Sequence, residues 1–195
     1  MWRPVPSSRP GDSPSQCPWI WARVYTPPAM MVASKLTFVK GKEFAQELVA
    51  EQVPRSLRAG VDLGIEISSV VAHEPLLVHA HSFLLREAVL NLIDNANRYA
   101  GAGAEVTLCV GREADMARLD VLDNGPGIAP VDRERVFERF VRAADEGDGC
   151  GLGLPIVKEI LERHGGNVAL EGLAPHGLRV VLRLPLSLPA QERVV

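Results

Sequence analysis

The sequence predicts an α+β fold, a two-layer sandwich with helices packed on one face of a mixed, mostly antiparallel sheet. Three observations carry that expectation. Leu85, Val89, Leu92, Ala96 and Tyr99 recur at helical spacing within Leu85–Ala100, the mark of an amphipathic helix with a buried stripe. Alternating segments come in neighbouring pairs, Glu105–Val110 with Ala117–Leu122 and Val168–Glu171 with Leu178–Leu184, which reads as two hairpins. The order along the chain is helix, strands, helix, hairpin, loops, helix, hairpin, and it suits helices layered on a sheet.

The remaining elements follow from local signals. Glu43–Ala59 carries Phe44, Leu48 and Leu57 and is the first helix. Pro54 should kink it, and Gly60 can cap its end. Asp62–Ile67 alternates through Leu63, Ile65 and Ile67 as a strand, and Leu76–His79 is a second, short one. Ser82 can cap the helix that follows. A turn-rich stretch to Gly153 is interrupted by a short helix, Val131–Arg142. Pro155 suits the first turn of the last helix, which stops at Gly165-Gly166.

With 195 residues the chain can bury a sizeable core, and 47% hydrophobic against 23% charged residues are globular proportions. A net charge of −3 predicts neither nucleic-acid binding nor contact with an anionic membrane. Cys17, Cys109 and Cys150 are far apart and odd in number, so no disulfide framework or metal spacing is expected, and a reducing, cytoplasmic setting is. No apolar run approaches the roughly 20 residues of a membrane span, and the N-terminus has no secretory pattern. Residues 1–34 hold all three Trp and many prolines without periodicity, which predicts a disordered or non-native arm. A partner-binding tail, translation starting at Met30 or Met31, and replacement of a lost upstream region all remain open for it. The globular domain is expected over residues 35–188, with a tail at 189–195.

The polar side of Leu85–Ala100 carries Glu87, Asn91, Asn95 and Arg98 within one helical face. Asn is a poor helix former, so two of them one turn apart suggest use of their amide oxygens, hard ligands suited to Mg²⁺. Arg98, a turn on, is placed to meet phosphate. An ordinary solvated helix face is the competing reading. Asp123-Asn124-Gly125-Pro126-Gly127 follows a strand directly. Its carboxylate can accept from the exocyclic amine of adenine, a bond worth roughly 1.5–3 kcal/mol, although DNGPG is also a plain turn. Gly147–Leu154 runs into a helix, whose N-terminal N–H groups make an anion site. No Lys follows these glycines and they do not follow a strand, so neither a P-loop nor a dinucleotide fingerprint is present.

Taken together and in order, NLIDNANRY, DNGPGI, VFERF and GCGLGL resemble the ATP-binding domain of sensor histidine kinases, of the GHKL superfamily and Bergerat fold. The resemblance spans about Leu36 to Pro185. It implies that Asn95 coordinates Mg²⁺, that Asn91 supports the metal and phosphates, that Arg98 touches phosphate, and that Tyr99 lies against the nucleotide. It implies that Asp123 reads adenine, with Gly125, Gly127 and Ile128 in the pocket wall. Phe137 and Phe140 look like the phenylalanine box at the base of a lid, 143–148, that is mobile without ligand. Arg142 would reach the phosphates on closure, and Gly149, Gly151, Leu152, Gly153 and Leu154 would hold the triphosphate.

Hydrolysing relatives and anti-sigma serine kinases carry Glu four residues before the metal Asn, where this chain has Asn91. Asn accepts no proton at neutral pH, whereas a neutral imidazole needs no base to expose its lone pair. Phosphoryl transfer to histidine is therefore favoured over hydrolysis, with Glu87 as a possible alternative base. No phosphoacceptor hairpin is recognisable. His73, His79, His81, His164 and His176 read as structural or surface residues. The resemblance thus implies a catalytic domain that uses ATP and Mg²⁺ and acts on a histidine-bearing dimerisation domain in trans or missing from this chain. A response regulator would follow indirectly, and a full-length parent would be anchored in the inner membrane. The alternatives are a stand-alone anti-sigma-like regulatory module and a non-catalytic ATP-binding fragment.

Overall fold

A computed structural model describes residues 36–71, 76–141 and 151–187. The arm at 1–34, His73, Arg142, Gly149, Cys17, Cys150 and the expected lid at 143–148 lie outside the described residues. The chain divides into two units between Lys35 and Leu36, and every element below belongs to the second.

The elements in order are β1 (Thr37–Lys40), α1 (Gly41–Arg58), β2 (Asp62–Ile67), β3 (Leu77–Ala80), α2 (Ser82–Tyr99), β4 (Glu105–Glu113), β5 (Met116–Asp123), two 3₁₀ turns (Pro130–Asp132 and Arg135–Phe137), α3 (Gly153–Arg163), β6 (Asn167–Gly172) and β7 (Leu178–Pro185). The main sheet runs β2-β4-β5-β7-β6, and β1 pairs with β3 in a separate two-stranded sheet. Only two residues join β4 to β5, with Glu113 opposite Met116, and so short a link forces an antiparallel pair. Between β2 and β4 the chain crosses through β3 and α2, which permits their parallel pairing. The remaining pairings are antiparallel. The expected mixed, mostly antiparallel sheet and the α+β class both hold.

Alternation sorts the sheet into two chemistries. Leu63, Val106, Leu108, Val110, Val121, Val180, Leu182 and Leu184 are buried in the core with the helices. Cys109, Arg118, Asp120, Arg179 and Arg183 occupy the alternate positions, where Arg118 forks onto Asp120 with two 2.8 Å bonds and Arg183 meets Glu113 at 2.9 Å. The helices contribute Ala45, Leu48 and Val49 from α1, Leu85, Ala88, Val89, Leu90, Leu92, Ile93 and Ala96 from α2, and Val157, Ile160 and Leu161 from α3.

Several details depart from the sequence expectation. α1 continues through Pro54 as one helix. Gly60 does end it: Gly60 N–H bonds the Leu57 carbonyl and Val61 N–H the Ser56 carbonyl, a Schellman closure. Gly165 and Gly166 close α3 the same way on Glu162 and Leu161. Ser82 is the first residue of α2 rather than its cap, and no side chain caps that end. The stripe on α2 stops at Ala96, because Tyr99 is 40% exposed. The helix expected over Val131–Arg142 is only the two 3₁₀ turns.

Ile93 has no exposed surface and sits at the centre of α2. Ile93→Ala should lower the unfolding free energy by about 2–5 kcal/mol. Val131→Ala, at a 79% exposed position, should change it by less than about 0.5 kcal/mol. Urea denaturation of the two variants checks both.

Candidate functional site

The motif residues are assembled along the C-terminal half of α2. Asn91 donates an amide N–H to the Glu87 backbone carbonyl at 2.8 Å, which orients the side chain and leaves its amide oxygen able to accept. One turn later, Asn95 lies against the start of α3. A Cβ built on Gly153 would sit 3.2 Å from Asn95 Nδ2 and 3.3 Å from Oδ1. At the end of α2, a Cβ on Gly125 would fall 2.6 Å from Ala100 Cα. Both glycine loops therefore lie directly on α2, five residues apart, about 7.5 Å along the axis. Arg98 is exposed and Glu87 half-buried on the same helix.

The α3 end of the site is an open helix N-terminus. No side chain caps it, and Pro155 has no N–H, so Gly153 and Leu154 supply first-turn donors. Leu152, the residue before α3, accepts from Ile156 N–H at 3.1 Å. Gly151 is pinned from the other side: Phe140 N–H bonds its carbonyl at 3.0 Å, and a Cβ at 151 would be 2.7 Å from the Val141 carbonyl. Phe140 and Val141 thus lie directly beside Gly151. Of the aromatic pair expected there, Phe137 is half-buried with Lys158 Nζ 5.8 Å from its ring centre, and Phe140 is 71% exposed with φ +66°. The buried anchor of that stretch is Val136, which sequence reasoning missed because a single valine carries no period.

The DNGPG loop presents a carboxylate that is largely shielded from water. Burial pushes the Asp123 carboxyl up, and N–H groups of Gly125 and Leu178 pull it partly back. The Gly125 bond is 2.9 Å. Gly127, at φ +73°, has its α-carbon so close to the β6–β7 turn that a Cβ would be 2.7 Å from the Gly177 carbonyl. Ile128 accepts from Arg133 Nε at 3.0 Å. His176, Gly177, Leu178 and Arg133 all touch this loop, and sequence reasoning missed them. Their contacts cross more than forty positions in the chain, except Arg133, and only the glycine ahead of a strand hinted at any of them.

Other groups are accounted for elsewhere. Among the described residues no cluster of three or more His, Cys, Asp or Glu could hold a metal. A Mg²⁺ ion held here would draw on the Asn95 amide oxygen together with phosphate and water, a set that fits an ion keeping much of its own shell. His164 spans Ile160 and the His81 backbone N–H, His79 stacks on Phe38, and His176 bonds the DNGPG backbone. A cleft of about 210 Å³ on the sheet's polar side is lined by Glu66, Cys109, Arg118, Asp120 and Arg179. Its cations already face carboxylates, and Cys109 is pushed up to about 11 by burial and by Glu66 and Asp120, so its thiol is no nucleophile at neutral pH. No helix among the described residues is long and apolar enough to cross a membrane.

Comparison with known proteins gives the family and the fold. The family model described as "Histidine kinase-, DNA gyrase B-, and HSP90-like ATPase" matches residues 80–188. The sensor protein kinase PmrB of Pseudomonas aeruginosa is 42% identical over 149 residues, which are 74% of this chain and 31% of PmrB. The histidine-protein kinase/phosphatase MprB of Mycolicibacterium vanbaalenii is 37% identical over 146 residues, 73% of this chain and 30% of that protein. The chain thus spans under a third of the length of these curated relatives. Among solved structures, a mycobacterial sensor histidine kinase MprB superposes with a TM-score of 0.65 at 30% identity, over 77% of this chain and 97% of that one. The catalytic domain of histidine kinase ThkA, at 24% identity and a TM-score of 0.68 over 78% and 96%, shares the fold.

The close approach at Gly127 makes a stability prediction. Gly127→Ala puts a side chain at positive φ against the Gly177 carbonyl and should cost roughly 1–3 kcal/mol. Gly64→Ala, where nothing lies within 4 Å, should stay within about 0.5 kcal/mol of the parent. Paired thermal melts read the difference.

Proposed function

The chain belongs to the family of histidine kinase-, DNA gyrase B- and HSP90-like ATPases, and on that premise we propose that it is the Mg²⁺·ATP-dependent catalytic part of a sensor histidine kinase. It passes the γ-phosphoryl group of ATP to a histidine on a separate dimerisation domain, from which a response regulator is charged. The observation that carries this reading is the pair of asparagines on α2 with the glycine start of α3 laid against the second of them.

Each residue then has a task set by its chemistry. Asn95 offers an amide oxygen to Mg²⁺, and Asn91, its N–H engaged by Glu87, supports the metal and phosphates with its own. Mg²⁺, when bound, neutralises charge on the phosphate oxygens. The N–H groups of Gly153 and Leu154 at the uncapped end of α3 face the triphosphate, as do Gly151 and Leu152, and Arg98 adds a cation. Asp123 accepts from the adenine amine, with Gly125, Gly127 and Ile128 as the wall beside it and Tyr99 against the nucleotide. Arg142 and Gly149, outside the described residues, keep the phosphate roles their motifs imply.

In the transfer step the lone pair of a neutral imidazole attacks the γ-phosphorus, and the bond to the β–γ bridging oxygen breaks to release ADP. The proton left on the attacking ring is lost to solvent afterwards, so no base is needed at position 91. A water nucleophile lacks that advantage. Asn91 accordingly supports histidine transfer over hydrolysis, and Glu87, which has other interactions, is not required. Catalysis by positioning and charge stabilisation is what such an arrangement provides.

Incubation with γ-labelled ATP and a separately supplied dimerisation hairpin bearing the acceptor histidine tests the proposal. The hairpin should gain acid-labile, base-stable phosphate, slowly because no tether raises its local concentration. The chain alone should not label. Asn95→Ala should abolish transfer with the helix intact, since Ala favours helix. Asn91→Glu should raise ATP hydrolysis relative to transfer. Acid-stable label on a partner, or vigorous hydrolysis by the unmutated chain, would contradict it.

A further inference from the structure

We propose that the turn between β6 and β7, residues 173–177, is a template that aims the Asp123 carboxylate, and that His176 is its positioning residue. The inference rests on Asp123 being the group that reads the adenine amine. It adds a part of the molecule, remote in sequence from every nucleotide motif, whose task is to hold the base-reading loop in shape.

The turn is closed on itself by Leu173 N–H on the Gly177 carbonyl at 3.1 Å. Three successive residues at the end of that frame, His176, Gly177 and Leu178, reach the DNGPG loop. His176 Nδ1 lies 2.8 Å from the Asn124 carbonyl and 3.3 Å from the Gly125 carbonyl. Both partners are acceptors, so Nδ1 carries the hydrogen and donates. Gly177 is packed so tightly on Asp123 that a Cβ there would strike the Asp123 carbonyl, and its own carbonyl is the atom a Cβ on Gly127 would meet. Leu178, the next residue, gives its N–H to the Asp123 carboxylate. The far side of the loop is fixed independently, where Asn124 Oδ1 accepts from Glu105 N–H at 2.9 Å.

His176 is exposed, so it is no part of the core, and its loss leaves the apolar packing of the fold intact. What its bond does is fix the Asn124–Gly125 and Gly125–Pro126 peptide units. Those units set where Gly125 N–H stands, and Gly125 N–H holds one carboxylate oxygen at 2.9 Å. A carboxylate held on one oxygen by Gly125 and also by Leu178 has a single aim. Released from His176, it has several.

Titration calorimetry with Mg²⁺·ATP and with the Mg²⁺ complex of purine riboside triphosphate, which is ATP without the exocyclic amine, tests this on the full chain. His176→Ala should weaken ATP about threefold to tenfold and leave the amine-free nucleotide nearly unchanged. His176→Asn, whose amide N–H stands near the position of Nδ1, should recover most of the loss. Asp123→Asn should weaken ATP selectively in the same way. A selective loss in Asp123→Asn with none in His176→Ala overturns the template alone. Equal losses for both nucleotides in His176→Ala, or no rescue by His176→Asn, overturn it as well. No selective loss in either position overturns the Asp123 assignment and the template with it.

Discussion

Everything on the nucleotide side depends on two backbone segments lying directly on α2. At Gly153 the first turn of α3 rests against the Asn95 amide, and at Gly125 the DNGPG loop rests on Ala100. A Cβ at Gly125 would collide with the Ala100 backbone and displace its loop, whereas one at Gly153 would press on the Asn95 amide and call for a shift of a few tenths of an ångström. α2 can serve as this support because its other side is locked in the core through Leu85, Val89, Leu92, Ile93 and Ala96. The helix that carries Asn91 and Asn95 is therefore also the one whose position the hydrophobic effect fixes most firmly.

That arrangement carries a cost at Asp123. Burial lifts its carboxyl pKa, so the folded chain holds this proton more tightly than the unfolded one. Stability then falls as pH rises from the ordinary carboxylate value through the raised one. Two backbone N–H groups offset part of that penalty. The polar side of the sheet is organised on the opposite principle. Its charges are paired in a lattice of Arg118, Arg179 and Arg183 with Glu113, Asp120 and Glu171.

Much of this was legible in the sequence where the signal is periodic or local. Leu85, Val89, Leu92 and Ala96 on one helix, paired alternating strands and glycines after α1 and α3 are patterns that a chain displays by itself. The motif order then pointed to the same residues that the fold brings onto α2. What escaped has little period or depends on remote partners. β1 buries only Val39 of its four residues, too short a run to alternate visibly. α1 runs through Pro54 with Ala45, Leu48, Val49 and Gln52 buried before it and Ser56 after it. The stretch around Val136 is tied down by single contacts, so it turns instead of forming a helix. Tyr99 falls at helical spacing, yet α2 ends there and leaves the ring at the surface. The roles of His176, Gly177 and Leu178 arise from contacts about fifty positions away in sequence, which no local pattern encodes.

The central claim is that nucleotide and metal sit along the C-terminal half of α2 between the two glycine loops. Amide chemical-shift mapping of the labelled chain during titration with Mg²⁺ and a non-hydrolysable ATP analogue tests it most directly. The account predicts that the largest shifts fall at Asn91, Asn95, Asp123, Gly125, Gly151 and Gly153, collapse on chelation of Mg²⁺ at the α2–α3 contact, and spare Cys109, Arg118 and Arg179. Shifts concentrated on that polar sheet face instead, with Asn95 and Gly153 unmoved, would contradict it.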